Sequence, residues 1–287
     1  MAKPMTNKKR NAVAGYLFIL PWIVGLLAFV AYPVVYSILL SLSTAKVTTS
    51  GIEMKWAGLT YYTRALAQDT TFTSTIAETV LFMACAVPVI LVFSLMIAIL
   101  LNSKFRLRGF FRSVFFLPVI IMSGPAISEL LTKYTVDFSE SGAGIYEFLA
   151  TLPDFLQTPA LFILNNLVLI LWFSGVQILI FLAGLQKISP EIYEAASIDG
   201  AGPWEKFWKI TLPAMTPIAM VSAIYTVVEI ANWTNNATNQ KIGSHLFEVG
   251  QPYSFSAAVS WIYFGVVALA LLLVFLIFRL LGRRERA

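Results

Sequence analysis

The side chains best suited to meet a hydroxyl-bearing ligand sit in one apolar stretch of the chain. Tyr225, Glu229, Asn232, Trp233 and Asn236 recur at i, i+4, i+7, i+8 and i+11, one face of an α-helix, and Ser222 and Thr226 extend the row. A carboxylate and amides hydrogen-bond hydroxyl groups, while Trp and Tyr offer flat apolar faces to CH groups. Asn166, Phe173 and Gln177 make a second, weaker row on another apolar stretch. The competing reading of both rows is polar packing between helices, and Asn232–Asn239 also reads as a segment leaving for water. No cluster has nucleophile–base or metal-ligand spacing, so no catalytic residue, metal or cofactor is expected. Glu129, one turn before Lys133, reads as half of an interfacial ion pair, His245 as a solvated loop residue and Cys85 as an inert thiol.

The elements that position these residues follow from composition. Of 287 residues, 58% are hydrophobic and 12% charged, against roughly 45–50% and about 25% in soluble domains. A soluble domain of this size has no core large enough for that apolar content, so the chain is read as an integral membrane protein. Disorder demands the opposite composition, and a single cysteine excludes a disulfide framework. A spanning helix takes about 20 apolar residues. Six stretches qualify, at about 15–42, 79–102, 110–132, 161–185, 214–236 and 256–281. The first follows Lys8, Lys9 and Arg10, but its length exceeds a signal-peptide core, so no cleavage is expected. Glu229 lies 13 residues beyond Thr216, roughly 20 Å along a helix, in the outer half of the bilayer, where an ionisable group marks function by default.

Basic residues near helix ends orient the spans. Fifteen of the 20 Lys and Arg fall on one side: Lys3, Lys8, Lys9 and Arg10; Lys104, Arg106, Arg108 and Arg112; Lys187, Lys206 and Lys209; Arg279, Arg283, Arg284 and Arg286. That side is expected to be cytoplasmic, with both termini on it, and the net charge of +5 reflects orientation rather than nucleic-acid binding. Pro21, Pro33, Pro88, Pro118, Pro125 and Pro217 fall in or near the spans and predict kinks that suit a packed bundle.

Residues 187–213 form a cytoplasmic connector too long to be without structure or function. Ser189, Pro190 and Glu191 give a helix start. Gly200-Ala-Gly-Pro203 breaks that helix, and Trp204, Phe207 and Trp208 place a second short helix over about 204–210. The spacing predicts a helix-turn-helix on the membrane face. An amphipathic interfacial segment is one reading. The small residues Ala195, Ala196 and Gly200 favour close approach of another surface.

Glu194-Ala195-Ala196, Gly200, Ile210 and Leu212-Pro213 resemble the EAA motif of binding-protein-dependent ABC importer permeases at all seven fixed positions. Softer matches resemble the sugar-permease branch, with maltose/lactose-type permeases as the nearest group. These are Gly15-Tyr-Leu-Phe-Ile-Leu-Pro-Trp22 with Tyr32-Pro33, Leu101-Asn102, Arg108-Gly-Phe-Phe-Arg112, Phe116-Leu-Pro118, and Leu182-Ala-Gly-Leu-Gln186 leading into Pro190.

The resemblance implies an all-α type I permease fold, one domain over 1–287 with six transmembrane helices and a cytoplasmic coupling helix. It implies a second, similar permease subunit, ATPases on the cytoplasmic face that bind the ATP, and an extracytoplasmic sugar-binding protein, in a bacterial or archaeal cell membrane. Glu194–Gly200 would seat in the ATPase and move as a rigid body, with Ile210, Leu212 and Pro213 tying it to span five. The chain itself has no GxxxxGK[ST] phosphate loop. A polyol or glycerol-phosphate cargo is the alternative within this class. An ion-gradient-driven transporter is the alternative outside it, disfavoured because Glu229 has no symmetric partner.

Overall fold

The computed structural model describes residues 7–48, 51–103, 109–110, 113–114, 143–247 and 253–284. Among these, five helical segments are long and apolar enough to cross a membrane: Ala14–Ser41, Thr70–Asn102, Leu167–Leu185, Pro203–Leu246 and Tyr253–Gly282. They correspond to predicted spans one, two, four, five and six. The predicted third span, 110–132, lies almost wholly outside the described residues, as do Glu129, Lys133, Pro118 and Pro125. Large apolar side chains such as Phe18, Trp22, Leu81 and Leu269 are exposed along the spans, the expected state of helices whose solvent is lipid.

Two of the five segments change pitch just before a proline. Helix α1 (Asn7–Leu26) passes through a π-helical turn, Leu27–Ala31, into α2 (Tyr32–Ser41), which carries Pro33 in its first turn. A proline ring clashes with the carbonyl four residues back and supplies no N–H. The wider π turn removes both conflicts without ending the helix.

The chain divides into two compact units, residues 1–74 with 241–264 and residues 75–240 with 265–287. In the first, the polar connector after α2 is a β-hairpin, the one departure from helix among the described elements. Strands β1 (Ser43–Thr48) and β2 (Gly51–Trp56) pair antiparallel from Ser43↔Trp56 to Thr48↔Gly51, in a segment rich in β-branched residues. The Leu42 carbonyl accepts from the amides of Ala57 (2.9 Å) and Gly58 (3.0 Å), with Gly58 at φ +59. Helix α3 (Thr60–Ala67) is tied back by Tyr62 to Ser41 and by Tyr61 to Thr44, each at 2.8 Å.

His245 corrects the expectation of a solvated residue: it is 5% exposed. Its Nε2 lies 3.1 Å from the Asp69 carboxylate, and its ring stands edge-on to Phe255 at 4.9 Å, with the Arg64 guanidinium also 4.9 Å from that ring. Asp69 caps α4 (Thr70–Asn102) by accepting from the Phe72 amide at 2.9 Å and the Thr71 hydroxyl at 2.6 Å. Burial acts to raise this carboxyl, but those two hydrogen bonds and the nearby Lys241 and His245 hold it below its ordinary value of 3.8.

The second unit contains α5 (Ala143–Ala150), α6 (Asp154–Asn165), α7 (Leu167–Leu185), α8 (Pro190–Ile198), α9 (Pro203–Lys206) and α10 (Leu212–Asn232). Predicted span four is not continuous from 161: the chain breaks at Asn166 (φ −109, ψ 14), whose own Nδ2 donates to the Phe162 carbonyl at 2.9 Å. The same carbonyl also accepts from the Asn166 backbone amide at 3.1 Å, so the side-chain bond closes the last turn of α6. At the opposite end of α7, Ala98, Leu101, Ile178, Phe181, Leu182, Leu185 and Met215 form a buried cluster. Gly184 lets α7 and α10 approach: a Cβ there would lie 2.9 Å from Ile218 Cγ1 and 3.2 Å from Met215 Sδ.

Candidate functional site

The connector 187–213 has the predicted helix, breaker and helix. Pro190 opens α8 at its first position, with Ser189 preceding it in an extended conformation and making no side-chain cap bond. The end of α8 is a Schellman closure. The Ala201 amide donates to the Ala196 carbonyl at 2.9 Å, the Gly200 amide donates to Ser197 at 3.1 Å, and Gly200 takes φ +79. Nothing lies within 4 Å of a Cβ placed on Gly200. Glycine is therefore required here by backbone conformation and not by space.

Beyond the turn, the second short helix does not stop at 210. Helix α9 continues through a π-helical turn, Phe207–Thr211, directly into α10, with Pro213 in its first turn. This is the same pitch change that accommodates Pro33. The EAA residues Ile210, Leu212 and Pro213 thus lie in the continuous backbone that joins the connector to span five. Two further bonds brace the element: the Tyr193 and Thr211 hydroxyls are 2.9 Å apart, and Lys206 Nζ donates to Ser197 Oγ at 2.6 Å. Its outer face carries apolar side chains, with Ile198 87% and Trp204 71% exposed beside Trp208. Glu194 and Ala195 are exposed, and Ala196 is half-buried.

The span-five row divides in two. Tyr225, Glu229 and Asn232 share a face of α10, with Tyr225 and Asn232 exposed and Glu229 half-buried. Ser222 and Thr226 are buried. Helix α10 ends at Asn232, where Trp233 turns extended (φ −64, ψ 123). Asn236 therefore does not continue the helical face, which corrects the i+11 placement. It sits in the turn before α11 (Ala237–Phe247), its Oδ1 accepting from the Thr79 hydroxyl at 2.8 Å and the Thr238 amide at 2.9 Å. Three buried polar groups satisfying one another make this a joint between elements.

The span-four row is also split, since Asn166 occupies the break. Phe173 and Gln177 point into the bundle, 1% and 0% exposed. Phe173 packs edge-on against Trp233 at 5.8 Å, and Gln177 Nε2 donates to both Thr226 Oγ1 and the Glu229 carboxylate at 2.9 Å. Spacing alone does not reveal this support of the carboxylate, because Gln177 and Glu229 are on different helices. Glu78, Thr79, Phe82, Asn166, Trp233 and Asn235 help line a cavity of about 170 Å³ near the end of α10. Glu78, Thr79 and Asn235 are additions to the sequence-derived list. Among the described residues no group of three His, Cys, Asp or Glu side chains is placed to hold a metal.

Residues 65–287 match the family described as binding-protein-dependent transport system inner membrane component. The chain belongs to that family. Among full-length relatives of this permease, the lactose transport system permease protein LacF of Rhizobium radiobacter is 30% identical over 93% of this chain and 95% of its own. The arabinooligosaccharides transport system permease protein AraP of Bacillus subtilis is 28% identical over 91% of this chain and 85% of its own. The crystal structure of a bacterial ABC transporter involved in alginate import matches with a TM-score of 0.69 at 21% identity, covering 94% of this permease and 96% of that chain. A bacterial alginate ABC transporter in complex with an alginate pentasaccharide-bound periplasmic protein matches with a TM-score of 0.62 at 20% identity, covering 96% of each chain. At these identities the two structures establish the fold: a multi-pass permease of the type I ABC importer kind.

Proposed function

We propose that this permease is one membrane-spanning half of an importer that moves a sugar or oligosaccharide into the cell, driven by ATP hydrolysis on separate subunits. The observation that carries the cargo class is the LacF likeness, which spans nearly the whole of both chains. In this reading a second permease completes the pathway, a sugar-binding protein docks outside, and both termini lie in the cytoplasm with the connector.

The connector is the ATPase contact. Helix α8 and its Gly200 turn present Glu194, Ala195 and an apolar rim to a cleft in the ATPase. Closure of the ATPases displaces the connector as one piece, because Tyr193–Thr211 and Lys206–Ser197 brace it internally. The continuous backbone from α9 into α10 carries that displacement toward Glu229. Tyr225, Glu229, Asn232 and Trp233 face the cargo, with Phe173 and Gln177 behind them.

Affinity purification of the tagged permease from its native membrane tests the assembly. An ATPase and a second permease are expected in the eluate, and a permease that purifies alone and transports without ATP contradicts the proposal.

A further inference from the structure

We propose that the pathway wall built by this permease discriminates by charge, admitting uncharged or amino sugars and disfavouring uronates, sugar phosphates and glycerol phosphates. The inference rests on the sugar-facing reading of span five. It turns on the charges that face carries and those it lacks.

The face carries one charged group, the Glu229 carboxylate, among neutral polar and aromatic side chains. The Glu229 carboxylate is held by the Gln177 amide, whose N–H groups are taken up by Thr226 and Glu229. Gln177 itself is wholly buried behind that face and adds no charge to it. Asn232 gives one Nδ2 N–H to the Val228 carbonyl of its own helix at 2.9 Å, which leaves it one N–H and its side-chain oxygen, both uncharged. A saccharide brings many O–H donors and satisfies such a surface. A carboxylate or phosphate brings acceptors and a negative charge; Tyr225, Asn232 and Trp233 offer it neutral donors but no counter-charge.

No cation offsets this. Apart from Arg112 and Arg279, each within three residues of a predicted cytoplasmic end, no Lys or Arg lies inside any of the six predicted spans. The cavity at the outer end of the same helix repeats the pattern. Glu78 is the charged residue lining it, beside Asn166, Asn235 and Trp233. An anion moving along this wall passes two carboxyl groups. At each it meets a like charge or has to bring a proton with it, and in a low-dielectric site both are costly.

The test uses the complete importer, both permeases with their ATPases, in nanodiscs without the binding protein, so that the latter's own preference does not enter. The probes are lactose and lactobionate, the same disaccharide with its reducing end oxidised to a carboxylate, and binding is read by saturation-transfer NMR. In the wild type, lactobionate is expected to bind at least about tenfold more weakly than lactose. Glu229→Gln is expected to close most of that gap and Glu78→Gln, on an exposed residue, part of it. Equal binding of the two probes in the wild type overturns the charge filter while leaving the sugar-facing reading in place. A gap unchanged in both variants overturns its assignment to these carboxylates. Absence of signal from both probes contradicts the sugar-facing reading itself.

Discussion

Gln177 Nε2 lies 2.9 Å from the Glu229 carboxylate, linking α7 and α10 within the membrane. A carboxylate on the lipid surface of a span is expensive, which is why the proposed function turns the face carrying Glu229, Tyr225 and Asn232 away from lipid. Gln177, itself wholly buried, fixes where the carboxylate points. Gln177→Leu is expected to remove this hold, leave Glu229 without its amide donor, and lower uptake several-fold with little loss of ATPase assembly. Uptake in cells, normalised to purified complex, is the readout.

Asn232 and Asn236 are four residues apart and should respond oppositely. Asn236→Ala strips a buried joint of its bonds to Thr79 and Thr238 and should cost about 1–3 kcal/mol of stability. Asn232, exposed and bonded to its own helix, should leave the melting temperature unchanged when replaced by Ala and reduce transport instead. Thermal unfolding and uptake measured on the same preparations separate the two.

The Gly184 crossing gives a reciprocal test. Gly184→Ala drives a methyl to within 2.9 Å of Ile218, and overpacking of this kind costs about 1–3 kcal/mol. Adding Ile218→Ala should recover most of the lost stability. A double variant no better than Gly184→Ala alone contradicts the close approach.

Asp69 predicts a pH dependence with a definite sign. Its carboxyl is held below the ordinary value of 3.8 in the folded protein, so it contributes stability that is present above that value and lost as pH falls through its lower folded value. Asp69→Asn should therefore lower the melting temperature at pH 7, and its difference from wild type should shrink below pH 3.8.

Much of this arrangement was legible in the residues. Long apolar runs locate five described spans, and Pro190, Gly200 and Pro203 punctuate the connector where helices start and stop. What was not legible depends on interactions between segments or on local competition. The β-hairpin at 43–56 has no long apolar pattern, and its base is fixed by the Leu42 carbonyl. The nine-residue N-terminal extension of span two, from 79 back to 70, comes from the Asp69 cap, which lies outside the hydrophobic stretch. His245 is buried because Asp69, from a distant part of the sequence, and Phe255, beyond the end of its own helix, both meet it. The row of polar residues on span five forms a helical face only as far as the helix runs, to Asn232, and the turn beyond it depends on bonds to α4.

The Gly200 turn carries the mechanical proposal. At φ +79 a residue with a side chain is strained, by about 1–2 kcal/mol, and the direction of the chain leaving α8 changes with it. Gly200→Leu should preserve membrane insertion and basal ATP hydrolysis but reduce uptake at least about tenfold, a free-energy equivalent of about 1.4 kcal/mol.

The central claim is that ATP hydrolysis on partner subunits drives a sugar through this permease. It is tested most directly by uptake of labelled sugar, eluted from the co-purified binding protein, into proteoliposomes holding the complete complex. Uptake is expected with hydrolysable ATP at the ATPases, none with a non-hydrolysable analogue, and at least about tenfold less with the Gly200→Leu permease. Accumulation driven by a proton or sodium gradient in the absence of ATP would contradict the account.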